Sequence, residues 1–378
     1  MSWPSVKLGE CVEIVSGATP STSVKENWDG DILWATPKDL SGLNNKNISA
    51  TDRCITEKGL NSCSARILPK NSVLFSSRAP IGLVAINTVP MATNQGFKSF
   101  IPKPNILSEQ YLYYWLKNNR EDINRMGVGA TFKEVSKTIV SKIIIPLPPL
   151  TEQQRIAEIL DKVELVKRKR ELAIEKLDSL AQSIYRRNFG NSPSIKLEEI
   201  CSFQNGGTPS KEISEYWAGD IAWISSADIV GSKIQYGRNF ITALGVDNSA
   251  TNIAPKGTIL IVTRTGVGKV AVTDRPTAFS QDIVSITLKK GFDINFVCEA
   301  LKNNLPYFLS HARGATIQGI TRNVLASALI PNIDEGSQNI FGKIMSAINE
   351  KNHLFIKSLG DIESLGASLE SQAFSGQL

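Results

Sequence analysis

The alternation of apolar and polar residues divides the chain into two kinds of segment. Short apolar runs, Ser72-Val73-Leu74-Phe75 and Gly257-Thr258-Ile259-Leu260-Ile261-Val262, are bounded by Pro, Gly, Ser and Asn, which predicts strands. Gly82-Leu83-Val84-Ala85-Ile86 and Lys269-Val270-Ala271-Val272 follow as their hairpin partners, with Arg78 in one turn and Arg264 in the other. Helices are predicted from Ser108 to Lys117 and from Ile294 to Lys302.

The second kind is long and strictly periodic. Thr151, just after Pro148-Pro149, is the expected N-cap, and 38 residues from there to Asn188 contain neither Gly nor Pro. Ile156, Val163, Leu177 and Ile184 share one heptad position, and Ile159, Val166, Ala173 and Leu180 a second, with Arg170 as the one break. Near the C-terminal end, Phe341, Ile348, Phe355, Ile362 and Leu369 repeat the first position, and Ile344 and Leu365 the second. At 1.5 Å per residue each helix is about 57 Å long. One apolar seam on so long a helix needs a partner, and the other helix supplies it in an antiparallel coiled coil.

The two kinds recur in the same order because the chain is duplicated. Lys7–Leu40 and Lys196–Ile229 align without a gap at an offset of 189, with 14 of 34 positions identical. Gly17, Thr19-Pro20-Ser21, Trp28, Gly30-Asp31-Ile32, Trp34 and Asp39 match Gly206, Thr208-Pro209-Ser210, Trp217, Gly219-Asp220-Ile221, Trp223 and Asp228. The offset slips to 186, where Arg78, Gly82 and Gln95 meet Arg264, Gly268 and Gln281. It then slips to 185, joining Gly129-Ala130-Thr131 to Gly314-Ala315-Thr316 and Phe189 to Phe374. A period near 185 residues is a duplicated domain, since solenoid repeats run to 20–50 residues. The fold class expected is α/β (α+β): globular domains over 1–150 and 191–333, long helices over 151–190 and 334–378, related by an approximate two-fold axis.

Composition narrows this reading. The 378 residues include 42% hydrophobic and 21% charged residues, as in ordinary globular proteins. Five cysteines without a C-x-x-C pair and two histidines exclude the familiar zinc sites and suit reduced thiols in the cytoplasm. Neither a signal peptide nor an apolar run of membrane-spanning length is visible. The net charge of +6 resolves into +5 over 1–150, +2 over 151–190, +2 over 191–333 and −3 over 334–378. Positive charge therefore sits mainly on the globular parts, where a phosphate backbone could be met. The Lys167-Arg168-Lys169-Arg170 run reads equally as a solvated helix face.

Catalytic motifs fail on inspection. Gly266-Val267-Gly268-Lys269-Val270 has Thr263 where a P-loop needs Gly, and Val270 where it needs Ser or Thr. Its G-x-G-x-x-A reading collapses in the duplicate, Pro80-Ile81-Gly82-Leu83-Val84-Ala85, so a hairpin turn is expected. Pro148-Pro149 lacks the flanking Asp/Asn and aromatic residue of amino-methyltransferase motifs. No carboxylate pair, acid–acid–lysine cluster or G-x-S-x-G elbow stands out, and no catalysis is expected on this chain.

The junction Ile145-Pro146-Leu147-Pro148-Pro149-Leu150-Thr151-Glu152-Gln153-Gln154-Arg155-Ile156 closely resembles that of the specificity subunits of type I restriction–modification systems. So do Gly17-Ala18-Thr19-Pro20 with Trp28 and Trp34, Gly129-Ala130-Thr131, and the duplication. The resemblance implies two target recognition domains, each reading one half of a bipartite sequence in double-stranded DNA across a spacer set by the helices. It implies no cofactor on this chain. The partners implied are two methyltransferase subunits, which use S-adenosylmethionine and flip out adenines, and restriction subunits, which use ATP and Mg²⁺. The second junction, Ile330-Pro331-Asn332-Ile333-Asp334-Glu335-Gly336-Ser337-Gln338, departs from the pattern by lacking Pro-Pro and Glu-Gln. A complex of one chain with two methyltransferases is still expected.

Candidate DNA contacts are Arg78 and Arg264, as guanine readers or phosphate clamps, with a structural salt bridge as the alternative. Asn94, Gln95 and Gln281 suit adenine readout or strand-end hydrogen bonding, and Thr36, Lys38, Ser225 and Ser226 follow the matched tryptophans. Trp28, Trp34, Trp217 and Trp223 are expected to anchor core or loops. Two competing functions are a two-headed protein scaffold without DNA readout and a self-contained DNA-modifying enzyme. Salt-dependent duplex binding separates the first from a DNA reader, and the absent cofactor and metal motifs disfavour the second.

Overall fold

The computed structural model describes residues 3–78, 80–129, 133–314 and 318–378. The chain divides into two compact units, Met1–Lys167 with Ile362–Leu378, and Arg168–Asp361. Each unit therefore contains a globular part together with a stretch of both long helices.

In unit 1 the main sheet has the order Val12–Ser16, Lys98–Pro102, Val73–Phe75, Val84–Asn87, Asn47–Ile48, all antiparallel except the last pair. Unit 2 repeats the first four places with Cys201–Asn205, Ile283–Leu288, Ile259–Val262 and Val270–Val272. Val73–Phe75 and Ile259–Val262 are apolar at every position because both faces are covered. Val73 and Phe75 point to the helical side with Tyr111, Leu112, Ile156, Leu160 and Ala373. Leu74 points the other way with Ala35, Leu68, Met91 and Phe97. In unit 2, Ile259 and Ile261 face Phe296, Tyr185 and Phe341, while Leu260 and Val262 face Ile224 and Phe279. A smaller sheet forms the layer beyond: Cys54–Ile55, Trp28–Ala35, Ala92–Thr93 in unit 1 and Asn239–Ile241, Ile221–Ile224, Thr277–Phe279, Ile253–Ala254 in unit 2. The hairpins form as the pattern predicts, and the two shorter helices run Glu109–Asn118 and Ile294–Asn303.

The long helices span Leu150–Phe189 and Glu335–Ser375. Thr151 lies inside the first turn instead of capping it, because the Pro149 carbonyl already accepts the Glu152 and Gln153 amides at 2.9 and 3.0 Å. The first heptad line (Ile156, Val163, Leu177, Ile184, Phe341, Ile348, Phe355, Ile362, Leu369) is buried or half-buried throughout. The second line is corrected. Ile159 and Ala173 are half-buried, but Val166, Leu180, Ile344 and Leu365 are exposed, and the line one residue later is covered throughout, at Leu160, Lys167, Ile174 and Ala181, and at Met345, Asn352, Leu359, Gly366 and Ala373. Counting apolar residues favoured the wrong line because the covered one includes polar and small side chains. Arg170, the apparent break, belongs to the covered face, with its guanidinium 4.4 Å from the Phe355 ring centre. No described helix is long and apolar enough to cross a membrane.

Candidate nucleic-acid interface

The loops before the paired tryptophans are built twice to one plan. Trp28 meets Trp34 edge-on at 5.1 Å, and Trp217 meets Trp223 at 5.2 Å. Trp28 Nε1 donates to the Ser21 carbonyl and Trp34 Nε1 to that of Ala18. Trp217 and Trp223 donate to Ser210 and Gly207, the equivalent carbonyls. With their faces and donors engaged in holding the loop, all four are loop anchors. Thr19 donates to the Gln95 side-chain carbonyl, and Thr208 to that of Gln281, tying each loop to the strand end. Gly17 and Gly206 allow this approach: a Cβ there would stand 1.9 Å from the Asn94 carbonyl oxygen and 2.2 Å from that of Ser280.

Several candidates thus have structural partners. Asn94 Oδ1 accepts from the Gly96 amide at 2.9 Å. Thr36 Oγ1 donates to Asp39 at 2.6 Å and Ser225 Oγ to Asp228 at 2.8 Å, each closing a short helical turn. Ser226 is buried, and its carbonyl accepts from Lys269 Nζ at 3.1 Å. Lys38 is 83% exposed and pairs with Asp52 at 2.9 Å. Gln95 and Gln281 keep their amide groups at the surface.

The two hairpin arginines differ. Arg78 Nε donates to Glu134 at 2.8 Å, and Lys98 Nζ reaches the same carboxylate at 3.0 Å. Burial alone would push the Glu134 carboxyl up, but hydrogen bonds from Lys98 and Arg78 outweigh it and hold it below the usual range. Arg264 is exposed and has no ion pair among the described residues. Glu134, Lys98, Arg313 and Arg53, whose guanidinium stacks 3.7 Å above Trp28, were not singled out from sequence. The duplicate alignment carried the signal, since it sets Glu134 against Gly319 and Val128 against Arg313. Ala130, Thr131, Ala315 and Thr316 of the matched triplets lie outside the described residues.

The glycine-rich stretch is a hairpin turn, as expected: Gly268 (φ +90°) matches Gly82 (φ +91°), and a Cβ there would stand 2.4 Å from the side chain of Leu305 and of Arg120 respectively. All five cysteines are free, and burial pushes the thiols of Cys201 and Cys298 up to about 12, so neither is a nucleophile at neutral pH. Among the described residues no cluster of three His, Cys, Asp or Glu is placed to hold a metal.

Comparison with known proteins accounts for the doubled plan. The family of type I restriction modification DNA specificity domains matches twice, over residues 2–176 and 191–362. The type I restriction enzyme MjaIX specificity subunit of Methanocaldococcus jannaschii is 38% identical over 247 residues, 63% of this chain and 55% of that one. The EcoR124I/EcoR124II specificity subunit of Escherichia coli is 33% identical over 164 residues, 42% of this chain and 40% of that one. The chain thus spans about half the length of the curated relatives it matches. The fold is that of the type I restriction–modification S subunit from M. genitalium, with a TM-score of 0.60 at 16% identity over 99% of this chain and 96% of that one. This chain belongs to the type I restriction modification DNA specificity family and carries two copies of its domain.

Proposed function

We propose that the chain is the DNA-recognition subunit of a type I restriction–modification complex, with each unit reading one half of a bipartite duplex target. The observation that carries this reading is the twofold family match laid on two units with one scaffold and different side chains around the matched hairpin arginines. Methyl transfer and cleavage are assigned to partners: two methyltransferase subunits with S-adenosylmethionine, and restriction subunits with ATP and Mg²⁺. The assembly works on DNA in the cytoplasm.

The corrected helix seam supports docking. The exposed apolar residues of the long helices include Leu165, Val166 and Leu365 in unit 1 and Leu172, Leu180, Ile340, Ile344 and Leu354 in unit 2. Apolar residues in this number on polar helices suit a helical partner surface.

Mapping methylated adenines in cells expressing the chain with its methyltransferase tests the reading. A bipartite motif that disappears with the chain is the expected result. Methylation without any motif, or unchanged when the chain is removed, overturns it in favour of a scaffold.

A further inference from the structure

Arg264, Gly319 and Arg313 stand at one level of three neighbouring backbone segments in unit 2. Arg313 and Gly319 exchange amide-to-carbonyl hydrogen bonds at 2.9 and 3.0 Å, and Ile320 N donates to the Thr263 carbonyl at 2.9 Å. Unit 1 builds the same level from Arg78, Glu134 and Val128, with the corresponding bonds at 3.0, 3.0 and 2.9 Å. Side chains at one level of adjacent antiparallel segments share a face and lie about 5 Å apart, so Arg264 and Arg313, on either side of Gly319, share a face with backbones about 10 Å apart.

The chemistry of the two levels is opposite. In unit 1 the central residue is a carboxylate that neutralises Arg78 and also receives Lys98. In unit 2 the centre is glycine, the residue matching Lys98 is the buried Val284, and the residue matching Val128 is a second arginine. Arg264 and Arg313 are both exposed, with no side-chain hydrogen bond or ion pair among the described residues. A Cβ at Gly319 would stand 2.7 Å from Arg264 Cγ, so the arginine stem lies across the glycine. Two guanidinium groups on one face, with no carboxylate between them, offer planar donors suited to phosphate oxygens.

We infer that Arg264 and Arg313 form a clamp on the phosphate backbone of duplex DNA, and that the matching place in unit 1 is internally neutralised. The two units therefore grip DNA unequally at the hairpin turn. The inference rests on the DNA-recognition reading above.

The test uses the full chain co-purified with its methyltransferase and a labelled duplex carrying the mapped target. Affinity is measured from about 50 to 200 mM salt, where phosphate contacts dominate the slope. Arg264→Ala and Arg313→Ala should each reduce the log–log slope by about one and weaken target and non-target duplexes by the same factor. Arg78→Ala should leave the slope unchanged, and thermal unfolding of the two unit 2 variants should match the wild type. Wild-type slopes in both unit 2 variants, with intact target preference, overturn the clamp alone. Arg264→Ala relaxing one position of the methylated motif without changing the slope also overturns it, in favour of base readout. A wild-type complex without target preference at any salt overturns the recognition reading itself.

Discussion

Asn352 donates its side-chain amide to Asp178 Oδ1 at 2.8 Å, and at an offset of 185 the same positions are Lys167 and Glu363, an ion pair also at 2.8 Å. Each unit thus places one polar crossing at the same point of its helix pair, neutral against charged in one and ionic in the other. Polar contacts in an otherwise apolar seam favour one register over neighbouring ones.

Asn352→Asp would set a second carboxylate against Asp178 with almost no change in shape. Like charges this close raise one pKa and destabilise the doubly ionised state. The variant should be less stable than the wild type at pH 7 by about 1–3 kcal/mol and unfold at lower temperature, and the difference should shrink as the pair takes up a proton in mild acid. Lys167→Ala should cost less, about 0.5 kcal/mol, because Lys167 and Glu363 are partly solvated. Thermal unfolding at pH 7 and about pH 4.5 checks the order; equal losses for both variants would refute it.

Gln153 and Gln338, also 185 apart, are buried and make the same three hydrogen bonds. Gln153 accepts from the Ser108 amide at 2.8 Å and donates to the Ile106 and Pro148 carbonyls at 2.9 Å. Gln338 accepts from the Asp293 amide at 3.1 Å and donates to the Gly291 and Ile333 carbonyls at 3.4 and 3.0 Å. Gln153→Ala leaves three backbone groups without their partner, and about 2–4 kcal/mol of stability should be lost. Gln338→Ala should cost somewhat less, given its longer bonds. Denaturant midpoints at unchanged slope would measure both losses. The clasp also qualifies the divergent second junction: Pro-Pro and Glu-Gln are missing, but the buried glutamine that ties helix to domain remains.

These glutamines mark where the sequence stops being legible. Repetition at an offset that slips only from 189 to 185 exposed the duplication, and apolar runs exposed the two-faced strands, because both reflect burial of many residues together. The side of the helix that is covered depends on what packs against it, both from the other long helix and from the globular part. Gln153, Lys167, Asn352 and Gly366 lie on that side for reasons a hydrophobic count cannot detect. Likewise, Arg78 finds its acid 56 positions away. Only the comparison of the two copies, with glycine replacing glutamate, hints that the arginines differ.

The Glu134 cluster carries a pH signature. Its carboxyl is held below its ordinary value of about 4.3, so it stabilises unit 1 above that value and the contribution is lost as pH falls through the lowered one. Glu134→Gln should therefore be less stable than wild type at pH 7, by under about 1 kcal/mol since Arg78 is 45% exposed, and equal to it near pH 2. The same variant releases Arg78 and Lys98, so the salt slope of DNA binding should steepen by about one to two. A slope equal to that of the wild type would mean that neither side chain can reach phosphate.

The long helices leave large apolar side chains in solvent. Leu172 and Leu180 are each 48% exposed, Leu354 is 59% and Leu365 is 54%. Replacing such residues with lysine removes little buried contact within the chain, so melting temperature should change by no more than about 2 °C. If these residues are covered by methyltransferase helices, each substitution instead buries an unpaired ammonium on docking, at a cost of several kcal/mol. Native mass measurement of the co-expressed proteins should show one chain with two methyltransferases for the wild type. Leu172→Lys with Leu180→Lys, and separately Leu354→Lys with Leu365→Lys, should each lose at least one of them. Retention of the full complex by both double variants would place the docking surface elsewhere on the chain. Loss in only one of them would show that the two helices dock their partners unequally, as their opposite net charges of +2 and −3 already suggest.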